Sequence, residues 1–594
     1  MKPRKLLLAL ATLLLPLTAS AQYSIYPVPH SQTAGTGTKV TFTKSVNIVC
    51  DADIDSYTIE RAKTILTEHG FTATTSSAAS STLSNIYLGV ANANGLPKAA
   101  ANKIGLNLSV LTKSGKFDRH VLSLTNAHDG VAQLIIIGEN TDATFMGLAS
   151  LEQMLDANTT QMPTVTISDY ADLKERGIIE GFYGKPYSSE VRKDLLRFMM
   201  RNKMNCYVYG PKSDVYHSGK WEEAYPTTLT ESQRKSGFVT QQDLREFTTV
   251  AHQTKVSVVW AIHPGDDLLN DDNVVSKIIS KFDKMYNLGF RQFAVFADDV
   301  SIPENQSGMK LTASRITDIQ KNIDNRWNGK GAREADKVKP LRFTPQIYCR
   351  NYAGSAWQFN QFFKALSAIP SEVTIYYTGG GVWSVPNNAD LNTVQQQFGR
   401  NVIWWWNYPC NDNGTGPSEI YPLDMRSNFV DMPNVENNAQ IATQLTASNQ
   451  GILCNPMEQG SAARTAVFSA GDYSWNNLAF NNNTSWEASF KALFPRRPQL
   501  QKAYRFLAPY LSKNDPASLG TAIEAYKTGG DGTALSTLMQ QIVDNCDVLA
   551  TMEQSGETSD RLLYIDIRPW VLRLRAMAAA TKGFIACKQA GDAI

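Results

Sequence analysis

Past its first twenty residues the chain has no apolar run near the roughly 20 residues that cross a bilayer, so its body is not expected to enter a membrane. An excess of either charge is also missing. Lys and Arg number 57 against 55 Asp and Glu, a formal net charge of +2, and only 19% of residues are charged, so no electrostatic hold on nucleic acid is expected. Cysteine is sparse and scattered. Cys50, Cys206, Cys349, Cys410, Cys454, Cys546 and Cys587 form no Cys-x-x-Cys pair and no Cys/His spacing of a zinc site, so no structural metal is expected. Seven is odd, so at least one thiol stays free or pairs with another chain. A Cys546–Cys587 bridge is possible, with buried free thiols the default. No cofactor is called for by any of these patterns.

What is present begins at the N-terminus. Basic Lys2, Arg4 and Lys5, the apolar run 6–17 and then Ala19-Ser20-Ala21 make the three sections of a secretory signal peptide over 1–21, with Gln22 first after cleavage. No Cys follows the small residues, so a lipid anchor is not indicated, and export to the periplasm or exterior of a bacterium is expected. Aromatics make up 10% of the chain, with 11 Trp and 23 Tyr; such rings pack on sugar faces, though most in any protein are core.

Residues 22–170 mix short β-rich pieces (39–42, 85–88, 133–138) with helical ones (55–68, 143–155) and read as a separate α/β domain, with the Ser/Thr/Ala-rich stretch 72–82 a surface loop. Over 175–475 the pattern becomes regular. Strand-like runs fall at 177–183, 205–210, 257–263, 292–297, 342–348, 373–378, 401–406 and 451–455, with helices such as 188–204, 276–288 and 357–369 between them. Eight strands alternating with helices over about 300 residues predict a (β/α)8 barrel. Residues 476–594 read as a helical domain, with apolar stripes over 486–494, 500–511, 518–526, 533–553 and 562–585. The fold class is therefore α/β: a TIM barrel preceded by a small α/β domain and followed by a helical bundle.

The fourth barrel strand carries the most informative residues. Phe293-Ala294-Val295-Phe296-Ala297 runs straight into Asp298-Asp299. Side chains on consecutive strand residues point to opposite faces, so both acids can serve one substrate only if the strand ends and the backbone turns there. Two carboxyls so close repel, which separates their pKa values and leaves a proton donor beside an anion. A solvated Asp-Asp turn is the commoner meaning of such a pair in an arbitrary protein. Here other polar residues cluster at the same predicted rim, where barrel enzymes carry their chemistry: Tyr183, Lys212, Asp214, His263, Asp266, Tyr348, Trp405, Trp406, Asn407, Asp412, Asn455 and Glu458.

These stretches resemble glycoside hydrolase family 84, which includes the O-GlcNAcases, bacterial β-N-acetylglucosaminidases and some enzymes named hyaluronidases. The matching segments run in order from Arg176-Gly177-Ile178-Ile179-Glu180-Gly181-Phe182-Tyr183-Gly184 through Asn202-Lys203-Met204-Asn205, Tyr209-Gly210-Pro211-Lys212 and Phe296-Ala297-Asp298-Asp299 to Trp405-Trp406-Asn407-Tyr408-Pro409 and Asn455-Pro456-Met457-Glu458. The resemblance implies retaining hydrolysis of β-linked N-acetylglucosamine, in which the sugar's acetamide oxygen attacks the anomeric carbon to form an oxazoline. It makes Asp298 the residue that polarises the acetamide N–H and Asp299 the general acid and base. It also implies that Gly181, Lys212, Asn407, Asp412 and Asn455 hold sugar hydroxyls while Tyr183, Tyr348 and Trp405 shape the acetamide pocket. At Gly181 a missing side chain lets backbone approach a sugar. Strand five departs from the family, reading Thr344-Pro345-Gln346-Ile347-Tyr348 where Cys-Pro-Thr-Glu-Tyr is frequent, and Asn411 stands beside Asp412 as an alternative for its role.

The partner expected is a GlcNAc-containing glycan or glycoconjugate. Three other readings compete: a catalytically silent carbohydrate-binding protein, an endo-acting hydrolase of a glycan such as hyaluronan, and a metal-dependent hydrolase using Asp298, Asp299 and His263. The last lacks the usual pair of strand-end histidines.

Overall fold

The computed structural model describes residues 23–412, 445, 449–511, 516–529 and 532–591; the signal peptide read over 1–21 lies outside them. Seven strands make the first sheet: β1 Ser31–Val40, β2 Ser45–Cys50, β3 Thr72–Thr75, β4 Ser84–Val90, β5 Phe117–His128, β6 Val131–Gly138 and β7 Met162–Ala171, in the order β1-β7-β5-β6-β4-β2-β3. Strands β3, β2, β4 and β6 run parallel, while β5 lies antiparallel between β6 and β7. The unbroken apolar run in β6 follows from helices on both faces. Leu134 and Ile136 pack under helices Ser56–Glu68 and Thr141–Ala157, and Ile135 and Ile137 face helix Leu96–Lys103. The stretch 72–82 is not wholly a loop, as the sequence suggested. Its first four residues form β3, because β-branched threonine fits an exposed sheet edge and composition alone does not report the open edge of β2.

Eight parallel strands close the expected barrel: β8 Glu175–Glu180, β9 Cys206–Tyr209, β10 Ser257–Ile262, β11 Phe293–Phe296, β12 Arg342–Thr344, β13 Thr374–Tyr377, β14 Val402–Trp406 and β15 Asn449–Cys454. Strand β12 stops at Thr344 rather than continuing to 348, because Pro345 has no N–H for the ladder. The helix expected over 188–204 spans Ser189–Arg201. The Ser188 side chain accepts from the Val191 N–H at its start, and Leu195, Phe198 and Met199 are buried against the barrel.

The C-terminal helices stand near their expected places: Asn482–Leu493, Pro498–Leu507, Ala517–Lys527, Thr533–Ala550 and Thr558–Ala590. Helix Arg464–Trp475 gave no sequence signal. Every one of its residues is buried, so it has no polar face and no amphipathic period. It joins all three parts of the chain. Trp475 Nε1 donates to Asp169 Oδ1 (2.9 Å) at the end of β7, Asp472 Oδ1 accepts from Val28 N (3.0 Å), and Arg464 reaches Asp194 on the barrel helix (3.1 Å). Asp169 also binds Lys203 Nζ at 2.8 Å, with both side chains fully buried. All seven thiols are free, so Cys546, which is buried, and Cys587, which is exposed, form no bridge. Among the described residues no helix is long and apolar enough to cross a membrane.

Candidate active site

Strand alternation decides which side chains reach the barrel mouth. Along the barrel the residues facing the axis include Ile179, Val208, Ala294, Phe296, Ile403, Trp405 and Leu453. Phe296, Tyr376 and Trp405 pack together inside the barrel, with ring centroids 5.1 Å apart for Phe296 and Trp405 and 6.3–6.4 Å from each to Tyr376. The same two-residue step carried past the strands leads to Gly181 and Tyr183, Lys212, Asp298, Thr378, Asn407 and Asn455. These residues, with Asp299, Tyr348, Trp405 and Asp412, line one cavity of about 200 Å³. All ten residues to which the family resemblance gives a role are there.

By strand parity Asp298 faces the axis and Asp299 would face the outer helices. Asp299 instead takes φ +57°, a left-handed conformation that costs roughly 1–2 kcal/mol for a residue with a side chain, and so turns its carboxyl back to the mouth. The two acids then have different surroundings. Asp298 is 5% exposed, and its Oδ2 accepts from Lys212 Nζ. Its Oδ1 is buried and finds no hydrogen-bond partner among the described residues. Behind it His263 donates Nε2–H to the Asp298 carbonyl oxygen (2.8 Å). Burial first, then the Lys212 charge, push this imidazole below its usual range and keep it neutral.

Asp299 is ringed by hydroxyls: Tyr183 donates to Oδ2 (2.8 Å), and Tyr348 (2.8 Å) and Tyr352 (3.1 Å) donate to Oδ1. Burial raises its carboxyl, but the Tyr183 hydrogen bond, the Lys212 charge and the Tyr348 and Tyr352 hydrogen bonds outweigh it, leaving the group below the ordinary carboxylate range. In the unliganded site Asp299 is an anion. The Tyr183 hydroxyl is held above its ordinary range by burial and then by Asp299, so it remains a proton donor.

The opposite side of the mouth is a chain of amides. Gly181 N–H donates to Asn455 Oδ1 (3.0 Å), Asn455 Nδ2 donates to Asn407 Oδ1 (2.9 Å), Trp405 Nε1 donates to the same oxygen (2.8 Å), and Asn407 Nδ2 donates to the Val382 carbonyl (2.7 Å). One N–H of Asn407 is left for a ligand. The structure gives a further reason for glycine at 181. A Cβ there would sit 2.3 Å from Trp405 Cζ2, so the missing side chain makes room for the indole. Asp412 lines the cavity and accepts from Tyr183 N (2.6 Å), whereas the neighbouring Asn411 is buried against Gln459 (2.9 Å) and Glu458 N (3.2 Å).

Other rim candidates stand outside the cavity. Asp214 accepts from the Tyr209 and Tyr225 hydroxyls (2.6 Å each), Asp266 from Ser301 N (2.9 Å) and Glu458 from Lys185 N (3.1 Å), while Trp406 stacks on Tyr408. Among the described residues no three His, Cys, Asp or Glu side chains gather as metal ligands. Five lining residues escaped the sequence reading: Thr344, Tyr352, Thr378, Val382 and Trp383. For Trp383 a signal existed, since Gly379-Gly380-Gly381 marks a turn just past a strand end.

The fold and cavity define a barrel protein with paired carboxylates at its C-terminal mouth, and comparison with known proteins supplies the family. The family model described as beta-N-acetylglucosaminidase matches residues 176–508, and that for glycosyl hydrolase family 20, domain 2, matches 22–170. The chain belongs to the beta-N-acetylglucosaminidase family, glycoside hydrolase family 84. It is similar to protein O-GlcNAcase of Rattus norvegicus, 25% identical over 308 residues; these cover 51% of this chain and 30% of the rat protein, so the match spans under a third of that relative. The solved structure of CpGH84D is 26% identical with a TM-score of 0.76, covering 96% of this chain and 90% of its own. The structure of CpGH84B, 23% identical with a TM-score of 0.70 and coverage of 96% and 92%, shares the fold.

Proposed function

We propose that this protein is an exported, retaining β-N-acetylglucosaminidase that releases terminal β-linked GlcNAc from glycans or glycoconjugates, with the substrate's own acetamide as nucleophile. The observation that carries this reading is the buried Asp298 Oδ1, which has no hydrogen-bond partner among the described residues, His263 Nε2 standing 4.0 Å away, while Oδ2 is tied to Lys212. A buried acceptor left so costs about 1–3 kcal/mol, and an acetamide N–H would satisfy it. With that N–H held, the acetamide oxygen forms a bond to the anomeric carbon as the bond to the leaving oxygen breaks and Asp299 gives that oxygen a proton. Water then adds to the anomeric carbon, its proton passes to Asp299, and the oxazoline reopens. Tethering the acetamide to the carbon beside the reacting one, so that its oxygen closes a five-membered ring, explains why adjacent acids suffice.

Asp299 must hold a proton to begin. A glycosidic oxygen entering the cavity takes the place of the exposed Tyr183 and Tyr352 hydroxyls, and a carboxyl with fewer donors keeps its proton to higher pH. The sign of one prediction follows. Tyr183 stabilises the anion, so Tyr183→Phe raises the Asp299 pKa, and the alkaline fall in kcat/KM should move to higher pH. An unmoved or downshifted limb contradicts this role for Asp299.

The whole reading is tested on protein secreted by an expressing bacterium, where mass spectrometry should find Gln22 first if residues 1–21 are a signal peptide. Given an aryl β-N-acetylglucosaminide, it is expected to release the β-anomer first, followed by proton NMR before mutarotation. Initial α-anomer, or no turnover by folded protein, overturns the reading.

A further inference from the structure

The cavity is also walled by two loops that carry lining residues the sequence did not point to. One follows β12 and holds Tyr352; the other follows β13 and holds Trp383. Arg350 N and Asn351 N donate to the carbonyls of Gly379 and Gly380 (2.9 Å each), so the two loops form one wall. The second loop is fixed at several further points. Gly380 N donates to Asp390 Oδ2 (2.8 Å), Gly381 N to Ser384 Oγ (2.7 Å), and the Val382 carbonyl accepts from Asn407. Gly379 has φ +99°, and a Cβ there would meet Trp404 at 2.6 Å, which seats the loop against the barrel. On this rigid support Trp383 is 50% exposed although it lines a cavity.

A large aromatic held open by its backbone is preorganised, so covering its face loses little conformational entropy. Its place says what would cover it. Tyr352, on the same wall, touches Asp299 Oδ1, and Asp299 in the hydrolytic reading protonates the leaving oxygen. The departing group therefore lies along this wall. A pyranose has an apolar face that packs on indole, whereas the serine or threonine of a peptide has none.

We propose that Trp383 is the stacking platform of an aglycone subsite for a hexopyranose, which makes glycans with GlcNAc β-linked to another sugar the substrate class. This rests on the hydrolytic reading above. The test compares wild type, Trp383→Ala and Trp383→Phe on three substrates: a GlcNAc-β-galactose disaccharide, methyl β-N-acetylglucosaminide, and a peptide bearing serine-linked GlcNAc. Trp383→Ala is expected to lower kcat/KM on the disaccharide about tenfold, mostly through KM, while the other two change by less than about twofold and Trp383→Phe recovers most of the loss. Should Trp383→Ala not fold, Trp383→Leu, which keeps apolar bulk without a flat face, replaces it. Equal losses on all three substrates, or an unchanged disaccharide, overturn the subsite. Wild type acting on the glycopeptide but not the disaccharide also overturns the subsite and leaves the hydrolase reading standing. Wild type acting on none of the three overturns the hydrolase reading itself.

Discussion

An aryl β-glucoside, in which a hydroxyl replaces the acetamide, is expected to react about 10⁵-fold or more slowly than the matching N-acetylglucosaminide, because effective molarities of well-placed intramolecular nucleophiles reach about 10⁵–10⁸ M. The loss should fall on kcat more than on KM. A 2-hydroxyl can still donate to the open Asp298 Oδ1, so binding survives while the nucleophile is gone. Fluorinated acetamides refine the test. Each fluorine withdraws electrons from the carbonyl oxygen with little change of size, so kcat should fall in step from mono- to trifluoroacetamide. A flat series would mean that a protein group or water attacks the anomeric carbon, and the acid pair would then do other chemistry.

The second large effect separates the two neighbours. Asp299→Asn is expected to lower kcat by about 10²–10⁴-fold on an alkyl or sugar aglycone, the usual range for a lost general acid. On a phenol that departs without a proton the loss should shrink. Asp298→Asn is expected to lower kcat by about 10²–10³-fold, comparable to removing one charge-stabilising contact, and by the same factor for every leaving group, because it acts on the nucleophile. That substitution also leaves Lys212 without its carboxylate, so the thermal midpoint should be read beside the rate. Equal leaving-group dependence in both variants would refute the division of roles.

Much of this site was legible in the sequence because strand alternation is a simple rule. Once Phe293-Ala294-Val295-Phe296 is read as a buried strand, two-residue steps lead to Asp298, and the same counting leads from Ile179 to Gly181 and from Trp405 to Asn407. The turn at Asp299 was required by the chemistry before its φ of +57° was seen. Counting fails several residues beyond the strand ends, as at Tyr352 and Trp383. Both sit on loops whose course is set by backbone contacts between Asn351 and Gly380, and no residue pattern reports such contacts. Helix Arg464–Trp475 was hidden for a different reason, since burial on every side removes the periodicity by which helices are read. The close fit of Trp405 against Gly181 was not legible, because only the fold brings the two together.

The amide chain from Gly181 through Asn455 and Asn407 to Val382 ties together the ends of β8, β15, β14 and β13, four neighbours around the barrel. The remaining half of the rim, from β9 to β12, carries Lys212, both acids, Tyr348 and Tyr352. The mouth is thus divided into an arc stitched by amides and an arc that carries the charged groups. Tyr183, which follows β8, reaches across from the stitched arc to Asp299, so the two arcs meet at that hydroxyl.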